Sequence, residues 1–172
     1  MKPVQIPKYA KLENERRFLV LDCPDLSSTA FRVIEDVYLK DSRLRLRAIT
    51  HPDGSRDFKL CKKYESTDPA SGPIVNIYLS ATEHAALSAL PGQPLRKRRY
   101  RVEWGDRAFG IDVFDGALAG LVLCEAEAAS PEAIRSLAFP PWASREVTAE
   151  RFFTGGNLAH VTVAELRMRL SP

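Results

Sequence analysis

Short segments in which apolar and polar residues alternate run through most of this sequence. Because successive side chains of a β-strand point to opposite faces, such alternation predicts half-buried strands. The predicted strands cover residues 11–21, 34–39, 43–49, 56–64, 74–79, 95–104, 107–114 and 121–128. Eight strands at this close spacing favour a β-barrel or a β-sandwich. A few helical segments accompany them, so the predicted fold class is α+β.

Turn and capping residues mark the connections between these segments. Asp-Gly at 53–54 tolerates the positive φ angles of a tight hairpin turn, and residues 104–107 predict a second hairpin. Ser80 and Ser130 each precede a short helical pattern with an acidic residue in its first turn. A last helix is predicted to follow the Gly-Gly-Asn at 155–157 and to run towards Leu170.

Length and composition restrict the class of protein. The 172 residues, 45% of them hydrophobic and 27% charged, predict a single domain over 1–172 with a real core. No apolar stretch is long enough to span a bilayer and no secretory signal is recognisable, so we expect a cytoplasmic protein with no membrane partner. Three widely spaced cysteines predict neither a disulfide framework nor a zinc site.

Charged residues form rows of nearly one sign on single strand faces. A polar face of an antiparallel sheet often simply contacts water, but like charges along one strand repel each other. Such rows are unfavourable unless a ligand of opposite charge or a metal lies against them. The rows are Glu13, Glu15 and Arg17; Arg43, Arg45 and Arg47; Lys59 and Lys63; Lys97, Arg99 and Arg101; Glu125 and Glu127. Together they would suit a triphosphate with bound divalent cations.

The same residues resemble the motifs of the CYTH, or triphosphate tunnel metalloenzyme, family. Residues 13–20 are similar to its N-terminal ExExK motif, with Arg17 in place of the usual lysine. Further similarities follow in the family's order at 38–39, 43–47, 97–100, 112–114, 120–127, 146–148, 152–153 and 157–158. The resemblance implies a closed eight-stranded antiparallel β-barrel, or tunnel. Members of the family cleave inorganic, thiamine or nucleoside triphosphates, or cyclise ATP.

The resemblance also implies roles for individual residues, with Mg²⁺ or Mn²⁺ as the cofactor. The implied metal ligands are Glu13, Glu15, Asp112, Glu125 and Glu127. The implied catalytic residues are Glu13, Glu15, Arg17, Glu125 and Glu127. The implied substrate-binding residues are Arg43, Arg45, Lys63, Lys97 and Arg99. Two positions depart from the family's pattern: Arg17 is effectively always protonated and cannot act as a base, and residues 74–79 lack the family's charges.

Metal-dependent hydrolysis of a small triphosphate-containing molecule is therefore the preferred function. An adenylate cyclase of the same family is the first alternative. A catalytically weak module that binds a triphosphate or polyphosphate is the second, and the uncharged strand at 74–79 favours it. Nucleic acid is not expected as a partner because the basic rows contain few aromatic residues for stacking. The sequence leaves the oligomeric state open, a homodimer included.

Overall fold

The computed structural model describes residues 6–171, which form an antiparallel sheet with short helices. The strands are β1 (Lys11–Leu19), β2 (Phe31–Leu39), β3 (Leu44–Thr50), β4 (Arg56–Lys63), β5 (Ser71–Leu79), β6 (Gly92–Trp104), β7 (Arg107–Phe114), β8 (Val122–Ala128) and β9 (Arg145–Glu146). The helices are α1 (Ala81–Leu87), α2 (Pro131–Ser136), α3 (Gly155–Leu158) and α4 (Val163–Leu170). All eight predicted strands are present, with ends that move by three residues or fewer.

The sheet closes on itself. Its strand order is β5-β4-β3-β2-β6-β7-β8-β1, and β1 pairs again with β5, so that Lys11 lies opposite Ile74 and Asn14 opposite Ser71. The two-residue strand β9 adds to the other end of β1, where Phe18 lies opposite Glu146. This pairing confirms the closed eight-stranded antiparallel β-barrel and the α+β class.

An apolar cluster fills one end of the barrel. Inward-facing residues of the strands pack there against the C-terminal segments, and the cluster includes Leu19, Leu95, Phe114, Leu123, Phe153, Leu158 and Leu166. Because Phe153, Leu158 and Leu166 come from the region after β9, the C-terminal helices close this end. We call the segment after β9 that closes this end the plug. Polar side chains in the rest of the barrel interior are therefore separated from solvent at the plugged end.

A second apolar cluster lies on the outside of the barrel. Phe109 of β7 and Cys124 and Ala126 of β8 are buried there against Ile134 and Leu137, in and just after α2. Helix α2 begins as predicted, with the Ser130 side chain accepting a hydrogen bond from the Ala133 amide. The apolar residues that alternate with the charged rows of β7 and β8 are thus covered by a helix.

The C-terminal region corrects one prediction. Instead of one helix that follows the Gly-Gly-Asn at 155–157 and runs towards Leu170, the chain forms α3, which includes these residues, and then α4, separated by residues 159–162. Thr162 begins α4 with a complete capping box, because its side chain accepts from the Glu165 amide while the Glu165 carboxylate accepts from the Thr162 amide. Among residues 6–171, no helix is long and apolar enough to cross a membrane.

Candidate functional site

Charged side chains from strands that are not neighbours meet inside the barrel. Lys63 of β4 pairs with Glu13 of β1, although β5 lies between these strands. Arg99 of β6 pairs with Glu125 of β8 across β7. Such contacts require that both side chains point to the same face of the sheet, and its concave curvature brings them closer together. These members of the predicted charged rows therefore face one shared interior, which we call the tunnel.

Three glutamates form an acidic cluster in the tunnel. Glu15 of β1 lies directly opposite Glu127 of β8, and Glu13 lies two residues along the same face. One carboxylate oxygen from each lies within 4.8 Å of the others. Burial raises the pKa of Glu127, and the nearby Glu15 and Glu13 carboxylates raise it further. Hard oxygen donors crowded in this way fit a divalent cation such as Mg²⁺ or Mn²⁺.

The other two predicted metal ligands contact cations instead of this cluster. Asp112 is fully buried and pairs with Lys97 and Arg99. Glu125 pairs with Arg17 and Arg99, and Lys97 Nζ lies 3.9 Å from its Oε2. Burial alone would raise the pKa of Glu125, but Lys97, Arg99 and Arg17 hold it well below its usual range. The metal-binding roles of Asp112 and Glu125 stay predictions, and both carboxylates already have partners.

Arg17 connects the acidic cluster to the plug. Its Nη2 donates to Glu15 at 2.6 Å, its Nε donates to Glu125 at 3.1 Å, and its Nη1 donates to the Phe153 carbonyl at 3.1 Å. A guanidinium has five N–H donors in a planar fork, so it can serve three separate acceptors, whereas the single ammonium nitrogen of lysine cannot span them in this way. Arginine at this position therefore joins two carboxylates and the plug through one side chain.

Four of the five predicted substrate-binding residues belong to the tunnel. These are Arg45, Lys63, Lys97 and Arg99, on β3, β4 and β6. The Nε atom of Arg45 is buried and has no hydrogen-bond partner within residues 6–171. Leaving a buried donor unsatisfied costs about 1–3 kcal/mol, and more when the group is charged. An anion bound in the tunnel would satisfy this donor.

Arg43 lies at the edge of this group. It precedes β3, its side chain is 52% exposed, and it pairs with Glu65 in the loop before β5. Arg43 lines an external cleft of about 1000 Å³ together with Tyr38 and His160. The pairing of Leu44 with Lys62 continues towards Arg43 and Lys63, and the substrate-binding role of Arg43 stays a prediction.

Two tunnel residues were not assigned a role from the sequence. Asp36 of β2 is buried and accepts two hydrogen bonds from Arg47 of β3. Arg47 belonged to a predicted charged row, but Asp36 did not, because the adjacent Glu35 points to the opposite face and Asp36 is the single acid on the inner face of β2. The sequence could have indicated Asp36 through its spacing, because Asp36 and Tyr38 are two residues apart and therefore share a strand face.

The inner face of β5 is uncharged, as its sequence indicates. Asn76 lies opposite Cys61 and Tyr78 lies opposite Lys59, which places both residues on the tunnel side of the sheet. Tyr78 is 74% exposed, and the Lys59 ammonium lies 4.9 Å from the centre of its ring. Part of the tunnel wall therefore contributes polar and aromatic groups without charge.

Comparisons with known proteins show clear relatives. No protein-family profile matches the chain. The inorganic triphosphatase of Nitrosomonas europaea is 30% identical over 156 residues, which cover 86% of this chain and 96% of that protein. A solved structure, that of the inorganic triphosphatase NE1496, is 28% identical and has a TM-score of 0.58. This match covers 87% of the present chain and 98% of the other.

Proposed function

Since this chain belongs to the CYTH, or triphosphate tunnel metalloenzyme, family, we propose that it hydrolyses inorganic triphosphate with Mg²⁺ or Mn²⁺ as cofactor. The observation that carries the proposal is the position of the acidic cluster beside arginines and lysines in one tunnel. The choice of substrate follows the relative from Nitrosomonas europaea, which is an inorganic triphosphatase.

The basic residues are suited to hold the phosphate oxygens. Arg45 has a buried donor without a partner in the described part of the chain, and Arg99 would bind a phosphate oxygen through Nη1, because its Nε and Nη2 donate to Asp112. The Arg99 and Lys97 side chains are 18% and 8% exposed, so water screens their charges little. Positioning and charge neutralisation of this kind supply most of the catalysis in phosphoryl transfer.

The acidic cluster is suited to hold the metal. Glu13, Glu15 and Glu127 would be its ligands, and Arg17 keeps the Glu15 carboxylate in place. When bound, the divalent cation supplies Lewis-acid polarisation of phosphoryl oxygens and lowers the pKa of a bound water. Arg17 remains protonated throughout and therefore orients groups without accepting a proton.

Phosphate release from a panel of triphosphates tests the proposed function. Inorganic, thiamine and nucleoside triphosphates are each supplied with Mg²⁺ and with Mn²⁺, and the uncharged face of β5 requires that enough enzyme is used to detect a slow rate. We expect phosphate release from inorganic triphosphate that depends on the divalent cation. Cyclic nucleotide and pyrophosphate from ATP would instead identify a cyclase.

A pair of variants separates catalysis from binding. Glu127→Gln should abolish turnover but leave much of the triphosphate affinity, because the tunnel bases remain. Arg45→Ala should weaken binding itself, since it removes the free donor. Arg135→Ala is the control, because Arg135 pairs with Asp68 outside the tunnel. If the wild-type protein binds triphosphate but releases no phosphate and forms no cyclic nucleotide, the binding-module alternative replaces the hydrolase.

A further inference from the structure

Asp36, on the tunnel face of β2, is an acid buried among bases. Its side chain is 1% exposed, and its two oxygens accept hydrogen bonds from Nε and Nη2 of Arg47 at 2.6 and 2.7 Å. The pairing of β2 with β3 places Asp36 opposite Arg47 and Tyr38 opposite Arg45. Burial alone would raise the pKa of Asp36, but Arg47 and Arg45 hold it below its usual value. The carboxylate is therefore charged and occupies one side of the Arg47 fork.

The neighbouring arginine on β3 is held differently. Arg45 Nε lies 3.7 Å from Asp36 Oδ1, which is close enough for an ion pair but too far for a hydrogen bond. This Nε is the buried donor that has no partner in the described part of the chain. The two arginines on this strand face therefore differ. Arg47 forms two hydrogen bonds to Asp36, whereas the Nε donor of Arg45 has no partner in the described part of the chain.

We infer that Asp36 is a positioning residue, which locks Arg47 and holds Arg45 with its free N–H available to a phosphate oxygen. The inference rests on the proposed function in that the ligand is a triphosphate. A two-point pair between guanidinium and carboxylate is short and geometrically specific. An arginine that is ordered before the ligand arrives loses less rotamer entropy on binding. The pair therefore favours tight binding even though it brings a negative charge into the tunnel.

A purely electrostatic role for Asp36 leads to the opposite expectation. A carboxylate repels a triphosphate, so Asp36→Asn would tighten binding if charge alone mattered. If positioning matters more, the Asn side chain loses one of the two charge-assisted bonds, Arg47 and Arg45 gain freedom, and binding weakens. Asp36→Glu separates the two ideas further, because it keeps the charge but moves the carboxylate by one methylene group.

Equilibrium binding of inorganic triphosphate, measured by calorimetry without divalent cations, tests this inference. Steady-state phosphate release with Mg²⁺ is measured in parallel. We expect Asp36→Asn and Asp36→Glu each to raise Kd and KM by about tenfold or more, which is the effect of losing a charged hydrogen bond, with a smaller change in kcat. Binding by Asp36→Asn that equals or exceeds that of the wild type would overturn the inference, as would wild-type behaviour of Asp36→Glu.

Glu146→Gln is a matched control for these variants. Glu146 forms the same two-point pair with Arg16, at 2.9 and 2.8 Å, on the outer side of the barrel. Loss of that pair should leave triphosphate binding unchanged. If breaking any arginine–carboxylate pair lowered the affinity for triphosphate, Glu146→Gln would lower it too. That result would contradict a specific role for Asp36.

A second variant covers the case in which the Asp36 variants do not fold. Arg47→Lys keeps the positive charge but cannot form the two-point pair, so its Kd should rise in the same way, and an unchanged Kd would contradict the inference. A wild-type protein that binds triphosphate but releases no phosphate would refute only the proposed hydrolase activity. The comparison of Kd values would still test the role of Asp36. A wild-type protein that binds no triphosphate refutes both.

Discussion

Replacement of Arg17 by Met should destabilise the protein strongly. The Arg17 side chain is 12% exposed, and its partners Glu15 and Glu125 are 13% and 11% exposed. Removing one member of a buried ion pair typically costs about 3–5 kcal/mol, because the remaining charge stays buried without compensation. Glu125 keeps Arg99 and Lys97, but Glu15 loses its hydrogen-bond donor, so we expect a loss within this range. Urea unfolding measures it as a lower midpoint with an unchanged slope.

The size of this effect should depend on pH. Burial and Glu125 would each raise the pKa of Glu15, and Arg17 and Lys63 hold it below the ordinary value of 4.5. In the wild type, Glu15 therefore contributes stability above its unfolded pKa, and that contribution is lost as the pH falls through the lowered folded pKa. Arg17 is the first of the two cations that lower this pKa, so we expect the folded pKa of Glu15 to rise without it and the variant to lose less stability than the wild type as the pH falls. The difference between the two proteins should shrink from pH 8 towards pH 4.5.

Arg101→Met is the control for the Arg17 variant. Arg101 pairs with Glu103 at the surface, where the two side chains are 71% and 62% exposed. Exposed pairs contribute about 0–1 kcal/mol, so this variant should unfold close to the wild type. The reasoning fails if Arg17→Met loses less than about 1 kcal/mol at neutral pH, or if its loss is the same at both ends of the pH range.

Three further measurements test other parts of the structure. Gly155→Ala should cost about 1–3 kcal/mol, because a Cβ there would lie 1.8 Å from the Tyr38 hydroxyl, whereas Gly72→Ala meets its nearest atom at 3.5 Å. Equal unfolding midpoints for the two variants would contradict this packing. Ile134→Ala should cost about 2–5 kcal/mol without changing triphosphate binding, since Ile134 is fully buried outside the tunnel. Triphosphate with Mg²⁺ should stabilise the wild type by about 2.7 kcal/mol at a hundredfold excess over Kd. This shift should shrink in Arg45→Ala, and an unchanged wild-type melting temperature would count against any anion site in the tunnel.

The strands and the faces of their charged rows could be predicted from the sequence because both depend on local geometry. Side chains at i and i+2 share a face in any strand, so Glu13 with Glu15 and Lys97 with Arg99 had to point the same way. Arg43 shows the limit of this rule. It has the parity of Arg45, but β3 begins at Leu44, and the Arg43 side chain is half exposed and pairs with Glu65.

The partners of each charge could not be predicted from local pattern. Lys63 of β4 meets Glu13 of β1 across β5 because the sheet closes with β1 beside β5, and these strands lie far apart along the chain. Asp36 meets Arg47 because the β2–β3 register places them opposite each other. An error of one residue in that register would have turned one of these side chains to the other face.

The sequence by itself determined which residues alternate, where the tight turns lie and which strand faces carry charge, since these properties need only neighbouring residues. Only the tertiary structure decided that Glu13, Glu15 and Glu127 form one cluster while Glu125 and Asp112 pair with bases. Those groupings depend on the closure of the sheet, which joins residues far apart in the chain. The physical reason is that a charged side chain in a closed barrel interacts with the side chains on the facing strands, and strand order and register determine which side chains these are.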